Sequence, residues 1–238
     1  MQRYFSISDK EIILDSGDIH HITHVMRSKI GDFFEVIFNK KIYEMRITSL
    51  SPFSYEVNDI SSLDNELKND VTLFYCLSKG EKNEFVMQKA CELGVKRIVL
   101  LSSLRSVVKL NNDDFNRKKS RFEKILKEAS EQSHRNIIPE LVGIIPIKKI
   151  PHELLSNHNF VAYEEDAGST DKTFELINNI KENESVSILI GSEGGIDNSE
   201  LEILHQQGFK DISLGKRILR TETAAVYALS VIGFLLER

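Results

Sequence analysis

The chain has 238 residues, of which 41% are hydrophobic, and its formal net charge at pH 7 is -5. This length allows two ordinary domains or one large one, and the excess of acidic residues excludes a protein that is basic over its whole surface. No apolar run approaches the roughly 20 residues that a membrane-spanning helix needs, and the start MQRYFSISDK lacks the apolar core of a signal peptide, so the sequence predicts a soluble, cytoplasmic protein with no membrane contact.

Metal ligands and disulfides are not expected. The two cysteines, Cys76 and Cys91, lie in unrelated apolar segments, which is typical of reduced, buried thiols. His20, His21 and His24 are close in sequence, but no set of carboxylates or cysteines accompanies them. We therefore predict no metal site.

Residues 1–68 predict a small antiparallel β-domain. Polar or glycine-containing turns separate the short apolar segments EIILD, DFFEVIFN, KIYEMRITSL and FSYEVNDI. The stretch SSLDNELKND (61–70) is polar and has no apolar periodicity, so the domain boundary is placed there. Arg27 and Lys29, in the segment RSKIGD, are spaced to present two cations to phosphates on one face.

Residues 71–238 predict a second domain of the α/β class. The predicted strands are VTLFYCLS, KRIVLLSS, PELVGIIP, NFVAYEED, SVSILIGS and KDISLG. The predicted helices are NEFVMQKACELG, FNRKKSRFEKILKEASEQS, a short helix near 148–156, and helices near 172–182, 198–207 and 222–238. This alternation favours a parallel sheet covered on both faces, with a ligand site beyond the carboxyl ends of the strands.

Two glycine-containing turns follow strands near the C-terminus. The first contains Gly191–Gly195, and glycines there either bring backbone N–H groups close to a ligand or simply form a tight corner. This turn matches neither GxGxxG nor GxxxxGK[ST], so dinucleotide and nucleoside-triphosphate sites lack support.

The second turn is Gly215, followed by three basic residues and a predicted helix. Thr221 or Thr223 is a candidate N-cap, and Glu222 suits the positive end of the helix dipole. Arg220 lies between an apolar pair and an apolar helix, where an unpaired buried charge is costly. We therefore expect Arg220 to face a carboxylate or an anionic ligand.

The segment Arg105–Arg135 is locally basic. It holds nine basic and five acidic residues, a net +4, whereas residues 1–70 hold eight basic and twelve acidic residues, a net -4. An RNA contact and a solvated helix face with i,i+4 ion pairs explain this pattern equally well.

The last predicted helix, ETAAVYALSVIGFLLER, is apolar nearly all round. Such a helix must be buried, either under its own sheet or against a second copy of the chain. A homodimer is an economical way to cover it.

Taken in order, five motifs resemble the RsmE family of 16S ribosomal RNA uracil N3-methyltransferases, in the SPOUT superfamily. They are His24–Arg27 with Gly31 and Asp32; Lys79, Glu84 and Gln88–Val95; EASEQSHRNIIPEL (128–141); IGSEGG (190–195); and ISLGKRILRTETAA (212–225). The resemblance covers almost the whole chain. Met26 replaces the family's usual leucine, and Ser192 replaces a proline, which is expected to loosen that turn.

The resemblance implies a PUA-like RNA-binding β-barrel over 1–68 and, over 71–238, a SPOUT α/β domain with a parallel sheet and a C-terminal trefoil knot. The knot would bind S-adenosylmethionine, with a pocket lined by Leu189, Ile190, Gly191, Glu193, Gly194, Gly195, Leu214, Gly215, Ile218, Leu219 and Arg220. The implied substrate is a uridine of 16S rRNA, uridine 1498 in the family, within the 30S subunit, and the implied assembly is a homodimer.

The predicted catalytic residues are Arg220, with Arg135 as the second choice of cation, and Glu222 or Glu193 as the base, unless solvent takes the proton. The predicted RNA-binding residues are Arg27, Lys29, Arg105 and Arg135. Two alternatives stay open: an RNA-binding module that assists ribosome assembly without chemistry, and a SPOUT methyltransferase that acts on another RNA.

Overall fold

The computed structural model describes residues 1–108, 112–163 and 170–237. The chain forms two compact units, Met1–Glu66 with Lys127–Ile138, and Leu67–Leu126 with Pro139–Arg238. The division near residue 66 falls within the polar stretch 61–70. Lys127–Ile138 belongs to the first unit, although the sequence placed it in the second domain.

The first unit is built on a four-stranded sheet in the order β1-β2-β3-β4. Its elements are β1 (Arg3–Phe5), α1 (Ser16–His20), a π-helical turn (His21–Val25), β2 (Phe33–Phe38), β3 (Lys41–Leu50) and β4 (Phe53–Ser61). Alternating apolar residues of these strands bury a core that includes Tyr4, Phe34, Val36, Met45 and Ile47.

Two local predictions for this unit are wrong. The segment EIILD is not a strand, because the Ser6 hydroxyl accepts the backbone N–H of Ile13 (3.0 Å) and donates to the carbonyl of Glu11 (3.1 Å), which folds the segment into a loop. The sheet is also not purely antiparallel, since the three-residue strand β1 pairs parallel with β2.

The second unit has a six-stranded parallel sheet in the order β10-β8-β9-β5-β6-β7. Its strands are β5 (Val71–Cys76), β6 (Arg97–Ser102), β7 (Glu140–Pro146), β8 (His158–Ala162), β9 (Val186–Ile190) and β10 (Phe209–Ile212). Its helices are α2 (Lys82–Glu92), α3 (Asn112–Gln132), α4 (Thr170–Asn178), α5 (Asn198–Gln206) and α6 (Thr221–Leu236). The last turns of α3 group with the first unit.

The central strands β5 and β9 are buried at every position, as the apolar runs predicted. The helix predicted near 148–156 is instead two short 3₁₀ turns, Ile147–Lys149 and His152–Leu154. Pro151, which lacks an N–H donor and disfavours helical geometry in the residue before it, lies between them. The predicted strand NFVAYEED ends at Ala162, and Glu164–Asp166 lie outside the described residues.

Helix α6 begins at Thr221, with Arg220 as its N-cap residue and no capping hydrogen bond from a side chain. The predicted threonine cap is therefore wrong, because Thr221 and Thr223 are already inside the helix. One stripe of α6 is buried, whereas Tyr227 is 43% and Phe234 67% exposed. The packing of this chain therefore covers only part of the apolar helix. In the described residues, no helix is both long and apolar enough to cross a membrane.

Candidate active site

A cleft with an empty volume of about 860 Å³ opens beyond the carboxyl ends of β8, β9 and β10. This is the position that a parallel sheet predicts for a ligand site. The lining comes from the ends of these strands, the turns after β9 and β10, the loop after β6 and the start of α6. The residues are Arg105, Ala162, Tyr163, Ile190–Ser192, Gly195, Ile196, Ser213–Leu219, Thr221 and Ala224.

The turn after β9 is closed by its own hydrogen bonds. The backbone N–H of Gly195 donates to the carbonyl of Ser192 (2.9 Å), and the Ser192 hydroxyl donates to the carbonyl of Gly195 (3.2 Å). Gly195 has a φ of +74°, which favours glycine. The expected loosening by Ser192 is not seen, since its hydroxyl helps to close the turn.

The turn after β10 runs as irregular backbone from Ser213 to Arg220. Gly215 has a φ of +103°, and its N–H donates to the Ser213 hydroxyl (3.2 Å). Among the residues that the structure describes, no backbone acceptor binds the N–H groups of Lys216–Leu219. These residues line the cleft, and their N–H groups are candidates to donate to a ligand.

Seven of the eleven predicted cofactor-binding residues line this cleft: Ile190, Gly191, Gly195, Leu214, Gly215, Ile218 and Leu219. The other four do not. Leu189 is fully buried in the sheet. A Cβ on Gly194 would lie 2.9 Å from the carbonyl oxygen of Arg105, so Gly194 permits close packing of two loops. Glu193 pairs with Lys82, and Arg220 lies between the lining residues Leu219 and Thr221 without lining the cleft itself.

Arg220 is exposed, and no side-chain partner for it is found within the described ranges. This corrects the argument from sequence, which assumed that Arg220 is buried and must be paired. Its neighbours Lys216 and Arg217 are also exposed and line the cleft. The second turn therefore brings two cations to the cleft, and Arg220 follows at the end of the same turn.

Glu193 and Glu222 are brought together by one lysine of α2. The Nζ atom of Lys82 lies 3.3 Å from Glu193 Oε1 and 3.3 Å from Glu222 Oε2. Partial burial opposes ionisation of Glu193, but hydrogen bonds from the backbone and from Lys82 lower its pKa overall. Glu193 is thus held as a carboxylate.

Arg135 does not lie at the cleft. It is 3% exposed, and its Nε lies 3.1 Å from Glu66 Oε2 within the first unit, where its terminal nitrogen also binds that carboxylate. A guanidinium buried in this pair cannot reach phosphate or a uracil ring. The predicted roles of Arg135 in catalysis and RNA binding are therefore corrected to a structural one.

The other predicted RNA-binding residues occupy different places. Arg27 and Lys29 are exposed in a turn of the first unit, where Arg27 has a φ of +54°. The carboxylate of Asp32 accepts the backbone N–H of Lys29 (2.7 Å), which leaves the lysine side chain outside the turn. Arg105 lines the cleft, and its Nε lies 3.5 Å from Asp197.

The basic segment 105–135 is largely neutralised by ion pairs. At least six of its basic residues pair with carboxylates: Arg105, Arg117, Lys119, Arg121, Lys127 and Arg135. Four of these six have a partner outside the segment, at Asp197, Glu84, Asp18 and Glu66. Lys109 lies outside the described residues. This pairing weakens the case for a dedicated RNA contact, although i,i+4 pairs on a solvated face account for only part of it.

Several lining residues were not among the predicted site residues, notably Tyr163, Ile196, Lys216, Arg217 and Thr221. Lys216 and Arg217 could have been predicted from sequence, because they follow Gly215 in the same turn as Arg220. Tyr163 and Ile196 could not, since only the tertiary fold brings them to the cleft. Among the described residues, no group of three or more histidine, cysteine or acidic side chains is placed to hold a metal ion.

Comparison with known proteins defines the class. Residues 65–233 match the family model of the RNA methyltransferase domain, and residues 14–58 match that of the RNA methyltransferase PUA domain. The first match spans well over half of the chain, so the fold and the cleft belong to an RNA methyltransferase. The predicted SPOUT α/β domain with a small PUA-like domain before it is confirmed.

The particular family follows from full-length relatives. The chain is 34% identical to ribosomal RNA small subunit methyltransferase E of Bacillus subtilis, with 100% of this chain and 98% of the relative covered. It is also 34% identical to the protein of that name from Buchnera aphidicola subsp. Schizaphis graminum, over 97% of this chain and 93% of the relative. The chain belongs to the ribosomal RNA small subunit methyltransferase E family.

Solved structures agree with this assignment. Ribosomal RNA small subunit methyltransferase E of Neisseria gonorrhoeae, bound to S-adenosyl methionine, has a TM-score of 0.83 and 27% identity, with 99% of this chain and 98% of that chain covered. A methyltransferase of Legionella pneumophila, in complex with the cofactor SAM, has a TM-score of 0.85 and 27% identity over 97% of this chain and 96% of that chain.

Proposed function

We propose that this protein transfers the methyl group of S-adenosylmethionine to N3 of a uracil in 16S ribosomal RNA of the 30S subunit, in the cytoplasm. The observation that carries the proposal is the cleft at the ends of β8, β9 and β10, which two consecutive turns of the chain enclose. The family to which the chain belongs indicates that the RNA is ribosomal RNA of the small subunit. The N3 position and uridine 1498 are the target that the resemblance to the family implies.

The residues of the cleft fit this cofactor. Its adenine ring needs apolar cover and hydrogen-bond partners at its edge. Ile190, Leu214 and Leu219 offer apolar side chains, and the backbone N–H groups of Lys216–Leu219 offer donors without backbone acceptors in the described structure. The hydroxyls of Ser213 and Thr221 add polar groups. When bound, S-adenosylmethionine supplies an electrophilic methyl group on a positively charged sulfur.

The protein must then position the uracil and stabilise the negative charge that develops on its ring. The nitrogen, the methyl carbon and the sulfur have to lie nearly in line, so positioning makes the largest demand. Loss of the N3 proton spreads negative charge over the two ring oxygens, and a cation aimed at them stabilises the transition state. Arg220 is exposed, lies between the lining residues Leu219 and Thr221, and has no side-chain partner among the described residues, so it is our choice for this role.

The proton acceptor is Glu222 or solvent. Glu193 is a poor base because its pKa is lowered by hydrogen bonds from the backbone and from Lys82. Glu222 follows Arg220 by two residues and is only partly exposed. It also pairs with Lys82, but it is the carboxylate closest to Arg220 along the chain.

The RNA is held by exposed cations. Lys216 and Arg217 lie at the rim of the cleft, together with Arg105. Arg27 and Lys29 in the first unit are exposed as well, and they suit sequence-independent phosphate contacts. The target base must be unpaired or extruded to expose N3 to the cleft.

The working assembly is a homodimer that covers the remaining apolar face of α6. Tyr227 and Phe234 of this helix are 43% and 67% exposed in the single chain. Burial of such side chains against a second copy is favourable by roughly 25 cal/mol per Å² of apolar surface. We propose in addition that the C-terminal part of the chain forms the predicted trefoil knot.

Calorimetric titration of the purified protein with S-adenosylmethionine tests the cofactor assignment. We expect a single site per chain with a dissociation constant in or near the micromolar range, as for typical enzyme substrates. Lack of binding at millimolar cofactor would leave the non-catalytic RNA-binding alternative.

A further inference from the structure

We propose that Lys82 is a positioning residue that ties the two turns of the cleft together by binding Glu193 and Glu222 at the same time. The inference rests on the proposed function, since it concerns the same cleft. Lys82 was not among the predicted site residues and does not line the cleft itself.

The geometry joins three segments that are far apart in sequence. Lys82 is the first residue of α2, Glu193 lies in the turn after β9, and Glu222 is the second residue of α6. Both carboxylates are 3.3 Å from the Lys82 ammonium. The backbone N–H of Lys79 donates to the same oxygen of Glu193 (3.3 Å), so the start of α2 holds that turn at two points.

The ammonium offsets the charges of both carboxylates, and backbone hydrogen bonds also stabilise Glu193. Glu222 Oε2 is shielded from solvent and, in the described structure, accepts no hydrogen bond of good geometry. Without Lys82, the two carboxylates would lose the cation that they share. Their charges also act on the buried Tyr75, whose pKa is raised by burial and by both Glu222 and Glu193. The pKa of Lys82 is itself raised, mainly by Glu222, so the lysine keeps its charge at physiological pH.

Each carboxylate lies next to residues that line the cleft. Glu193 is flanked in its turn by Ser192 and Gly195, and Glu222 follows Thr221 directly. Movement of either carboxylate therefore displaces one wall of the cleft, and Arg220 precedes Glu222 by only two residues. Lys82 thus sets the distance between the two walls without touching the ligand.

The first test needs no cofactor. Hydrogen exchange is measured on the ligand-free parent, on Lys82→Met and on Lys89→Met. Lys89 is a matched control on the same helix, with a side-chain exposure of 33% against 34% for Lys82 and a single partner, Glu92. We expect at least about tenfold faster exchange of amides in 192–195 and 221–225 in Lys82→Met alone. Unchanged exchange in these turns would overturn the proposal.

The second test asks whether Lys82 affects cofactor binding and turnover or only holds the two turns in place locally. We expect Lys82→Met to raise the dissociation constant for S-adenosylmethionine by about tenfold and to lower kcat on 30S subunits, with KM for the subunit little changed. Lys82→Arg, which keeps the cation, should recover most of the affinity. Faster exchange with unchanged affinity and kcat would also overturn the proposal.

The two tests distinguish a failure of the role proposed for Lys82 from a failure of the proposed function. If the parent binds no S-adenosylmethionine, the proposed function fails, and the exchange comparison still decides whether Lys82 ties the two turns. If the parent binds the cofactor and Lys82→Met matches it in both tests, only the role of Lys82 is wrong.

Discussion

The proposed mechanism depends at the residue scale on Arg220, an exposed cation between the cleft-lining residues Leu219 and Thr221. Arg135 cannot take this role, because it is buried against Glu66 in the other unit. Arg220 is therefore the residue whose replacement tests the mechanism most directly.

Replacement of Arg220 tests the proposed stabilisation of charge on the uracil. We expect Arg220→Ala to lower kcat by about 10²- to 10³-fold, because loss of one group that stabilises a transition-state charge typically costs that much. Cofactor affinity should change little, since Arg220 does not line the cleft. Lys210→Ala, which removes another exposed cation of the same unit, is the control. Parental turnover by Arg220→Ala would remove Arg220 from the mechanism.

Glu131 gives the first unit a pH-dependent stability. Burial raises the pKa of Glu131 to about 7, although the ammonium of Lys127, 2.7 Å away, opposes the shift. The folded chain therefore keeps this proton to higher pH than the unfolded chain. The stabilising contribution is complete below the ordinary value of 4.5 and is lost as the pH rises through about 7.

Glu131→Gln removes this titration while leaving Asp15, Asp18 and Lys127 in place. We expect the free energy of unfolding of the parent to fall between pH 5 and 8 by more than that of the variant, with a difference on the order of 2 kcal/mol. Urea denaturation at several pH values measures it. Parallel pH profiles for the two proteins would show that Glu131 titrates normally.

Among the elements, the buried parallel strands and the longer helices were predictable, because apolar runs and amphipathic periods directly reflect burial. The failures were short elements. The strand Arg3–Phe5 has too few residues to show a period, and the segment at 148–156 has helical composition but is divided by Pro151. The N-cap of α6 was assigned to a threonine because threonine often caps helices. In the structure the N-cap residue is Arg220, whose side chain makes no capping hydrogen bond.

The turn after β9 depends on a close approach between two loops. A Cβ at Gly194 would lie 2.9 Å from the carbonyl oxygen and 3.1 Å from the Cβ of Arg105, so one loop must move. We expect Gly194→Ala to destabilise the fold by about 1–3 kcal/mol and to weaken cofactor binding severalfold. Thermal unfolding and calorimetry measure both effects.

Gly143→Ala is the control for this change, because its new Cβ would meet only Phe115, at an ordinary contact distance of 3.5 Å. It should leave cofactor affinity unchanged. Equal behaviour of the two variants would mean that the loop contact at Gly194 has no bearing on the cleft.

At the scale of the whole molecule, the fold class and the position of the cleft were predictable, because ordered motifs and alternating strands and helices extend over the whole chain. The sequence did not reveal the addition of Lys127–Ile138 to the first unit. It also left the basic segment undecided, since its net charge of +4 says nothing about the ion pairs that neutralise most of it.

The proposed homodimer makes a prediction at the same scale. We expect the parent to elute as a dimer, and Phe234→Glu to elute as a monomer, because the substitution places a charge on the apolar face of α6. Lys210→Glu, a charge change away from α6, should remain dimeric. Light scattering coupled to size-exclusion chromatography gives the masses, and a monomeric parent would contradict the assembly.

The most direct test of the proposed function is methyl transfer to unmodified 30S subunits. The purified protein is incubated with the subunits and S-adenosylmethionine labelled at the methyl group, and the 16S rRNA is digested and mapped by mass spectrometry. We expect one labelled nucleotide, 3-methyluridine, at a single position. Label on another base or in another RNA, or no label at all from a protein that binds the cofactor, would contradict it.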